Sequence, residues 1–225
     1  MPAKTSKATS KKTLATRERI LEAALTLYNL HGEPNVSTKA VAAEAGLSPG
    51  NLHYHFATKN DLTLALLERY EASLLPLLST ADEVRHVEDA WLFVHMLFEQ
   101  MGRQRFLYRN LNDLLAGSRE IEARLQALIE AKGQSLALMM AGLQHGGAMA
   151  QQNVTEAGTA LNIMVMLLCY WIGFEEVRDP RRALDAEAAG LALRRGAMHV
   201  LAVLSPWMEA LSREHLRQLS AQYDR

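Results

Sequence analysis

Apolar residues recur at helical spacing along almost the whole chain. Ile20, Ala24 and Leu27 share one face, as do Val87, Trp91, Val94, Phe98 and Met101. The same spacing returns at Ile121, Leu125 and Leu128, and at Leu193, Ala197, Val200 and Leu204. No sustained two-residue alternation and no hairpin dipeptide occurs, so strands are not expected. Turn-forming residues near 32–35, 46–47, 57, 79–80, 102, 117, 146–147, 179–180 and 205–206 cut the pattern into nine or ten helices. The expectation is an all-α fold. Helices are short before about residue 60 and long after it. A three-helix N-terminal domain over 14–62 and a larger helical domain over 63–225 follow. Residues 1–13 are rich in Lys, Ser, Thr and Ala and read as a disordered basic arm.

The punctuation of residues 37–59 (STKAVAAEAGLSPGNLHYHFATK) is more specific than periodicity. Ser37 can cap a short helix whose inner face is Val41, Ala42 and Ala45. Gly46 follows where a left-handed residue closes such a helix without steric cost. Leu47 plugs the corner. Ser48 is a second N-cap, and Pro49 takes the first helical position, where its missing N–H costs nothing. The second helix then runs over 49–56. Thr58 caps the next helix with Asp61 three residues on. Two short helices joined by a tight Gly turn make a helix-turn-helix. The preceding helix, 16–31, supplies the third wall. Asn51 can read base edges, and His53, Tyr54 and His55 can bond phosphates or bases. The helix starts at Ser37 and Ser48 add oriented N–H groups for phosphate oxygens.

Charge agrees with this but does not establish it. The first 60 residues carry a net +4, Lys39 and Lys59 included, and the remainder −5. A basic end on an acidic body suits a polyanionic partner, double-stranded DNA.

The same stretch resembles the N-terminal domain of the TetR/AcrR family of bacterial regulators. The resemblance rests on TRERILEAALTLYNLHG (16–32), AVAAEAG and above all SPGNLHYHFATKNDL. Gly46, Ser48, Gly50, Leu52, His55, Phe56, Lys59 and Leu62 stand at the family's pattern positions. The resemblance implies that Pro49, Gly50 and Asn51 face base edges. It implies mainly phosphate contacts for Thr38, His53, Tyr54, His55 and Lys59, with Lys59 as the phosphate anchor. Two departures stand out. His53 replaces a common Tyr, and Glu33–Pro34–Asn35–Val36 lacks the usual aromatic after Gly32.

The family implies a C-terminal domain that dimerises and encloses a small-molecule pocket. One helix is apolar all round, with Leu161, Val165, Leu168 and Ile172 on one face and Met164, Leu167 and Trp171 on another, so it must be covered on all sides. The segment 186–204 is rich in Ala and Gly. Interior Gly costs about 1 kcal/mol relative to Ala, which close helix approach would offset. Leu161, Val165, Leu168, Ile172, Leu193, Ala197, Val200 and Leu204 are therefore the expected homodimer interface. Trp91, His95, Phe98, Met101, Tyr108, Met139, Trp171 and Phe174 are the candidate effector-pocket lining, for an apolar or aromatic ligand, since no cluster of charges points to a sugar or phosphate.

Other chemistry is not indicated. Asp82, His86 and Asp89 share a helix face but lack further metal ligands. Cys169 is alone in an apolar helix and reads as an inert buried thiol in a reducing compartment. No phosphate loop, nucleophile elbow or HExxH occurs. No cofactor and no enzymatic activity are expected. The N-terminus lacks the apolar core of a secretion signal, and the apolar run over 160–174 is too short to span a bilayer. The expected protein is cytoplasmic: a repressor released from a palindromic operator by a small effector. The alternative is a DNA-binding regulator controlled by a protein partner or by abundance.

Overall fold

The computed structural model describes residues 3–182 and 185–221, with side chains from residue 13 onward except Ala186. Eleven α-helices occur among them: α1 Ala3–His31, α2 Thr38–Glu44, α3 Pro49–His55, α4 Lys59–Ser79, α5 Val87–Arg103, α6 Phe106–Arg109, α7 Leu111–Gly117, α8 Arg119–His145, α9 Val154–Arg178, α10 Ala186–Ala202 and α11 Ala210–Ala221. An isolated bridge between Met149 and Met208 is the only extended pairing among the described residues.

The turns expected from Gly, Pro and Ser/Thr are present except at Gly102, which lies inside α5, two residues before its C-cap Gln104. The chain leaves α5 at Gln104 and pivots again at Asn110, which makes the short helix α6. Tertiary contacts impose this break. The Asn29 side chain at the end of α1 accepts from the Phe106 backbone N–H at 3.1 Å and donates to the Arg103 carbonyl at 2.9 Å.

The N-terminal unit closes on a small core. Ile20, Ala24 and Tyr28 form a fully buried stripe on α1, against Val41 and Ala42 of α2, Leu52 of α3 and Leu62 and Leu66 of α4. The expected boundary at residue 62 falls inside α4, which continues unbroken into the larger domain. Its first turns pack in the N-terminal core, and its Tyr70 and Leu74 are buried farther along. Arg69 of α4 also bonds Glu22 of α1 at 2.5 Å.

Residues 3–13, expected as a disordered arm, instead extend α1 toward the N-terminus. Their Ala and Lys content favours helix, and no Gly or Pro interrupts after Pro2.

In the larger domain, α10 packs on α5 and α9. A Cβ at Gly196 would lie 2.4 Å from Phe98 Cε1 and 2.6 Å from Trp171 Cδ1, so Gly196 serves close contact within the chain, whereas a Cβ at Gly190 would meet nothing within 4 Å. The residues expected at a dimer interface divide between buried and half-buried positions of the single chain. Leu168, Ala197, Val200 and Leu204 are fully buried in the chain's own core, and Leu161, Val165, Ile172 and Leu193 pack against it. The other side of α9 is bare. Ile163, Met166, Tyr170, Phe174 and Val177 recur at helical spacing and are 40–82% exposed. As a whole, α9 is long and apolar enough to cross a membrane by length and composition, unlike the shorter run read from the sequence. However, its Met164, Leu168, Trp171 and Glu175 are buried in the domain.

Candidate nucleic-acid interface

The geometry of α2 and α3 is fixed by the residues expected to fix it. The Ser37 hydroxyl accepts from the Ala40 N–H at 3.1 Å, and the Ser48 hydroxyl accepts from the Asn51 N–H at 3.2 Å. Gly46 has φ +64°, where a side chain would be strained. The start of α4 carries the full capping box: Asp61 N–H donates to Thr58 Oγ1 at 3.1 Å, and Thr58 N–H to Asp61 Oδ2 at 2.9 Å.

With Leu52 buried beneath it, α3 turns its other residues outward. Ser48, Pro49, Gly50, Asn51 and His53 are exposed, Tyr54 is 81% exposed, and His55 is half-buried. On α2, Thr38 is half-buried and Lys39 exposed. A Cβ at Gly50 would meet nothing within 4 Å. The protein's own packing therefore does not require Gly there. Its missing side chain leaves room for something approaching from outside. His53 Nδ1–H donates to the Ala57 carbonyl at 3.2 Å, which leaves Nε2 as its outward polar atom. The Tyr54 and His55 rings meet edge to face at 5.3 Å. The helix ends at His55, one residue earlier than expected, because Phe56 turns into the core as C-cap.

Two residues on this surface were not singled out as site residues from the sequence. Arg17 donates to the His55 carbonyl at 3.3 Å and lays its guanidinium 4.1 Å over the Phe56 ring. It neutralises the C-terminal end of α3 and fixes the angle of that helix. Glu33 stands in the loop that lacks the usual aromatic. Its carboxylate lies 3.2 Å from the Lys59 ammonium, which also sits 6.0 Å from the centre of the Tyr28 ring. The acidic replacement was visible in the sequence, but its partner was not.

The expected pocket residues are scattered. Phe98, Met101 and Met139 are buried in the general core, and Phe174 is half-exposed on the outer side of α9. Trp91 stacks on His95 at 4.2 Å, and His95 Nδ1–H donates to the Trp91 carbonyl. Burial lowers the His95 pKa. Tyr108 borders a void of only about 10 Å³ beside Tyr70, Lys132 and Cys169. Lys132 donates to the Tyr108 hydroxyl at 2.6 Å, and the hydroxyls of Tyr70 and Tyr108 are bonded to each other. Burial brings the Lys132 pKa down to about 8 and raises the Cys169 thiol.

Trp171 borders a larger cavity of about 340 Å³ between α5, α6, α9 and α10. Its wall holds Arg105, Arg109, Arg178, Arg182 and Arg195 with Glu175, Glu176 and Asp179. This cluster is not apparent from the sequence, where no group of charges points to a sugar or phosphate. The charges come from three separate elements, α6 with its preceding turn, the end of α9 with the turn after it, and α10, and meet in the fold. The Asp82, His86 and Asp89 face has another use. Asp89 accepts from the backbone N–H groups of Arg85 at 3.0 Å and His86 at 2.9 Å, and these bonds lower its pKa. No group of three or more His, Cys, Asp or Glu gathers as a metal site among the described residues.

Comparison with known proteins agrees with both halves. The family profile described as bacterial regulatory proteins, tetR family, matches residues 20–66. The TetR profile described as bacterial transcriptional repressor matches residues 69–216, about two thirds of the chain. A TetR-family transcriptional regulator from Marinobacter aquaeolei VT8 superposes with a TM-score of 0.79 at 23% identity, covering 92% of this chain and 98% of that one. A gamma-butyrolactone receptor described as ArpA-like gives 0.66 at 17% identity, with 95% and 98% covered. SmeT, the repressor of a Stenotrophomonas maltophilia multidrug efflux pump, gives 0.60 at 20% identity in its complex with triclosan, with 87% and 93% covered. No curated protein matches the chain.

Proposed function

The chain belongs to the TetR family of bacterial transcriptional regulators, and from that premise we propose that it is a cytoplasmic repressor. It binds a palindromic operator as a homodimer and is released when a small molecule occupies its larger domain. Members of this family are DNA-binding regulators rather than enzymes.

The outward face of α3 carries this reading. A seven-residue helix buries Leu52 and exposes Asn51, His53 and Tyr54, and Tyr54 leaves 81% of its surface in water. These groups suit base edges and phosphates, and Gly50 leaves the approach open. The bare stripe of α9 supports the dimer. Five apolar side chains at helical spacing, from Ile163 to Val177, lie on one exposed face. A second copy meeting the same stripe about a two-fold axis would bury it on both sides. That symmetry sets two α3 helices against inverted half-sites. For the effector, support comes from the cavity beside Trp171 and from the triclosan held by the relative SmeT.

Selection from randomised DNA duplexes tests the proposal. The full-length protein is expected to enrich an inverted repeat, with half-sites one or more helical turns apart. Recovery of duplexes with no shared sequence would overturn it.

A further inference from the structure

We propose that the arginine-lined cavity between α6, α9 and α10 is the effector site, and that it takes a small organic anion, a carboxylate or a phosphate ester with a short apolar body. This rests on the reading of the chain as a ligand-controlled regulator and names the ligand class that the sequence did not suggest.

Three observations carry it. The wall has five guanidinium groups against three carboxylates. Guanidinium forks match carboxylate and phosphate oxygens in pairs, and a partly enclosed excess of positive charge draws an anion more strongly than open surface does. The wall is also unfinished. Glu175 bonds Arg195 and Arg178, yet its Oε1 and the Arg195 Nε are both buried without a hydrogen-bond partner. Buried polar atoms of this kind call for a missing partner, and a ligand's polar group would supply one. Trp171, Ile172 and Leu193 give the apolar side of the same space. At about 340 Å³ the cavity suits a small ligand, at the lower end of the ~300–1,000 Å³ usual for such pockets. Of its residues on α9, Ile172, Glu175 and Glu176 lie on the side of the helix away from the Ile163–Val177 stripe.

The third observation is a connection to the DNA-binding unit. Arg109 donates through Nη2 to Glu176 Oε1 at 2.5 Å, at the cavity wall. Through Nη1 it donates to the carbonyls of Asn29 at 3.0 Å and Leu30 at 3.4 Å, at the C-terminal end of α1. Arg105 donates to the same Asn29 carbonyl at 3.0 Å. The next residue along, Asn110, accepts from the Glu33 N–H at 3.3 Å, and Glu33 holds Lys59. An anion in the cavity competes with these carbonyls for the two arginines. Loosening the end of α1 moves the helix whose buried stripe supports α2 and α3, so the bound anion weakens DNA binding. By reciprocity, DNA weakens anion binding by the same factor.

Calorimetric titration of the full-length protein tests the site without DNA. The probes are benzoate, hexanoate and phenyl phosphate, with benzamide as the neutral control. At least one anion is expected to bind at millimolar concentration or below while benzamide does not. Arg182→Gln, at the cavity's edge, should weaken that binding about tenfold, the loss of one charge-assisted hydrogen bond. Binding of benzamide equal to benzoate, no binding of any anion, or an unchanged affinity in Arg182→Gln would overturn the site. The coupling is read separately by repeating the DNA titration with saturating anion. DNA affinity should fall in the wild type and change less in Arg109→Lys, which cannot hold both ends of the link. Anion binding that leaves DNA affinity untouched would overturn the coupling and keep the site. Failure to bind DNA at all would instead remove the regulator reading.

Discussion

Lys59 reaches Glu33 across 3.2 Å, so the cation expected to anchor a phosphate is already paired with a carboxylate. The pair is partly buried, with side-chain exposures of 29% and 16%. DNA must therefore displace or share this contact. Glu33→Gln should tighten binding to all duplexes roughly two- to fivefold at low salt, the usual worth of a single accessible ion pair. Lys59→Ala should weaken binding to all sequences and reduce the slope of log affinity against log salt by about one. Fluorescence anisotropy across a salt series reads both. Weaker binding in Glu33→Gln would mean that the carboxylate positions Lys59 rather than restraining it.

Gly50 separates stability from binding. Nothing within 4 Å would meet its Cβ, and it lies inside α3. Gly50→Ala should hold or raise stability, by up to about 1 kcal/mol from helix propensity. It should weaken operator binding at least tenfold if DNA approaches the backbone there, a loss of about 1.4 kcal/mol. Chemical denaturation and anisotropy on the same preparation give the two numbers.

Among the described residues no carboxylate pairs with the Lys132 ammonium. It is surrounded by Tyr70 of α4, Tyr108 of α6 and Cys169 of α9. Its folded pKa of about 8 lies below the ordinary 10.5. The unfolded chain thus binds more protons above pH 8, and stability rises with pH from that point. The rise is read up to about pH 9, because Cys169 and both tyrosines have raised pKa values and pull the other way above it. Lys132→Met should abolish the rise and increase Tm at pH 7 by roughly 5 °C, as expected for a gain of about 1–2 kcal/mol in a chain of this size. Calorimetry at pH 7, 8 and 9 checks this.

The bare stripe on α9 gives a prediction about assembly. Met166→Glu with Tyr170→Glu places two charges on the exposed face, at side chains that are 55% and 51% exposed. The variant should sediment as a monomer, keep its helical content and lose cooperative binding to the inverted repeat. Leu168→Ala should instead lower stability by about 2–5 kcal/mol, the range for a buried Leu truncated to Ala, because Leu168 is fully buried within one chain.

Local chemistry made the N-terminal unit legible from its residues. Ser37, Ser48, Thr58 and Gly46 act on atoms within a few positions of themselves, and the helical period places Ile20 and Ala24 on the buried face, although it continues to the half-buried Leu27 rather than to the fully buried Tyr28. On α9 that period fails, because the helix is apolar on every side. The pattern could not tell the inward face of Leu168 from the outward face of Tyr170. The arginine cavity was hidden for another reason. Arg109, Glu176 and Arg195 stand on separate elements, and no periodicity links them. The pairing of Glu33 with Lys59 is likewise a product of the fold, although an acid in an aromatic's place marked one end of it.

The most direct measurement is the affinity ratio between the selected inverted repeat and a scrambled duplex at physiological salt, for the wild type and for Asn51→Ala. A regulator that reads bases through α3 should favour the repeat about a thousandfold or more. Asn51→Ala should lose about 1–3 kcal/mol of that preference at one base pair per half-site, with its affinity for the scrambled duplex unchanged. Equal affinity of the wild type for the two duplexes would contradict sequence-specific recognition by this helix.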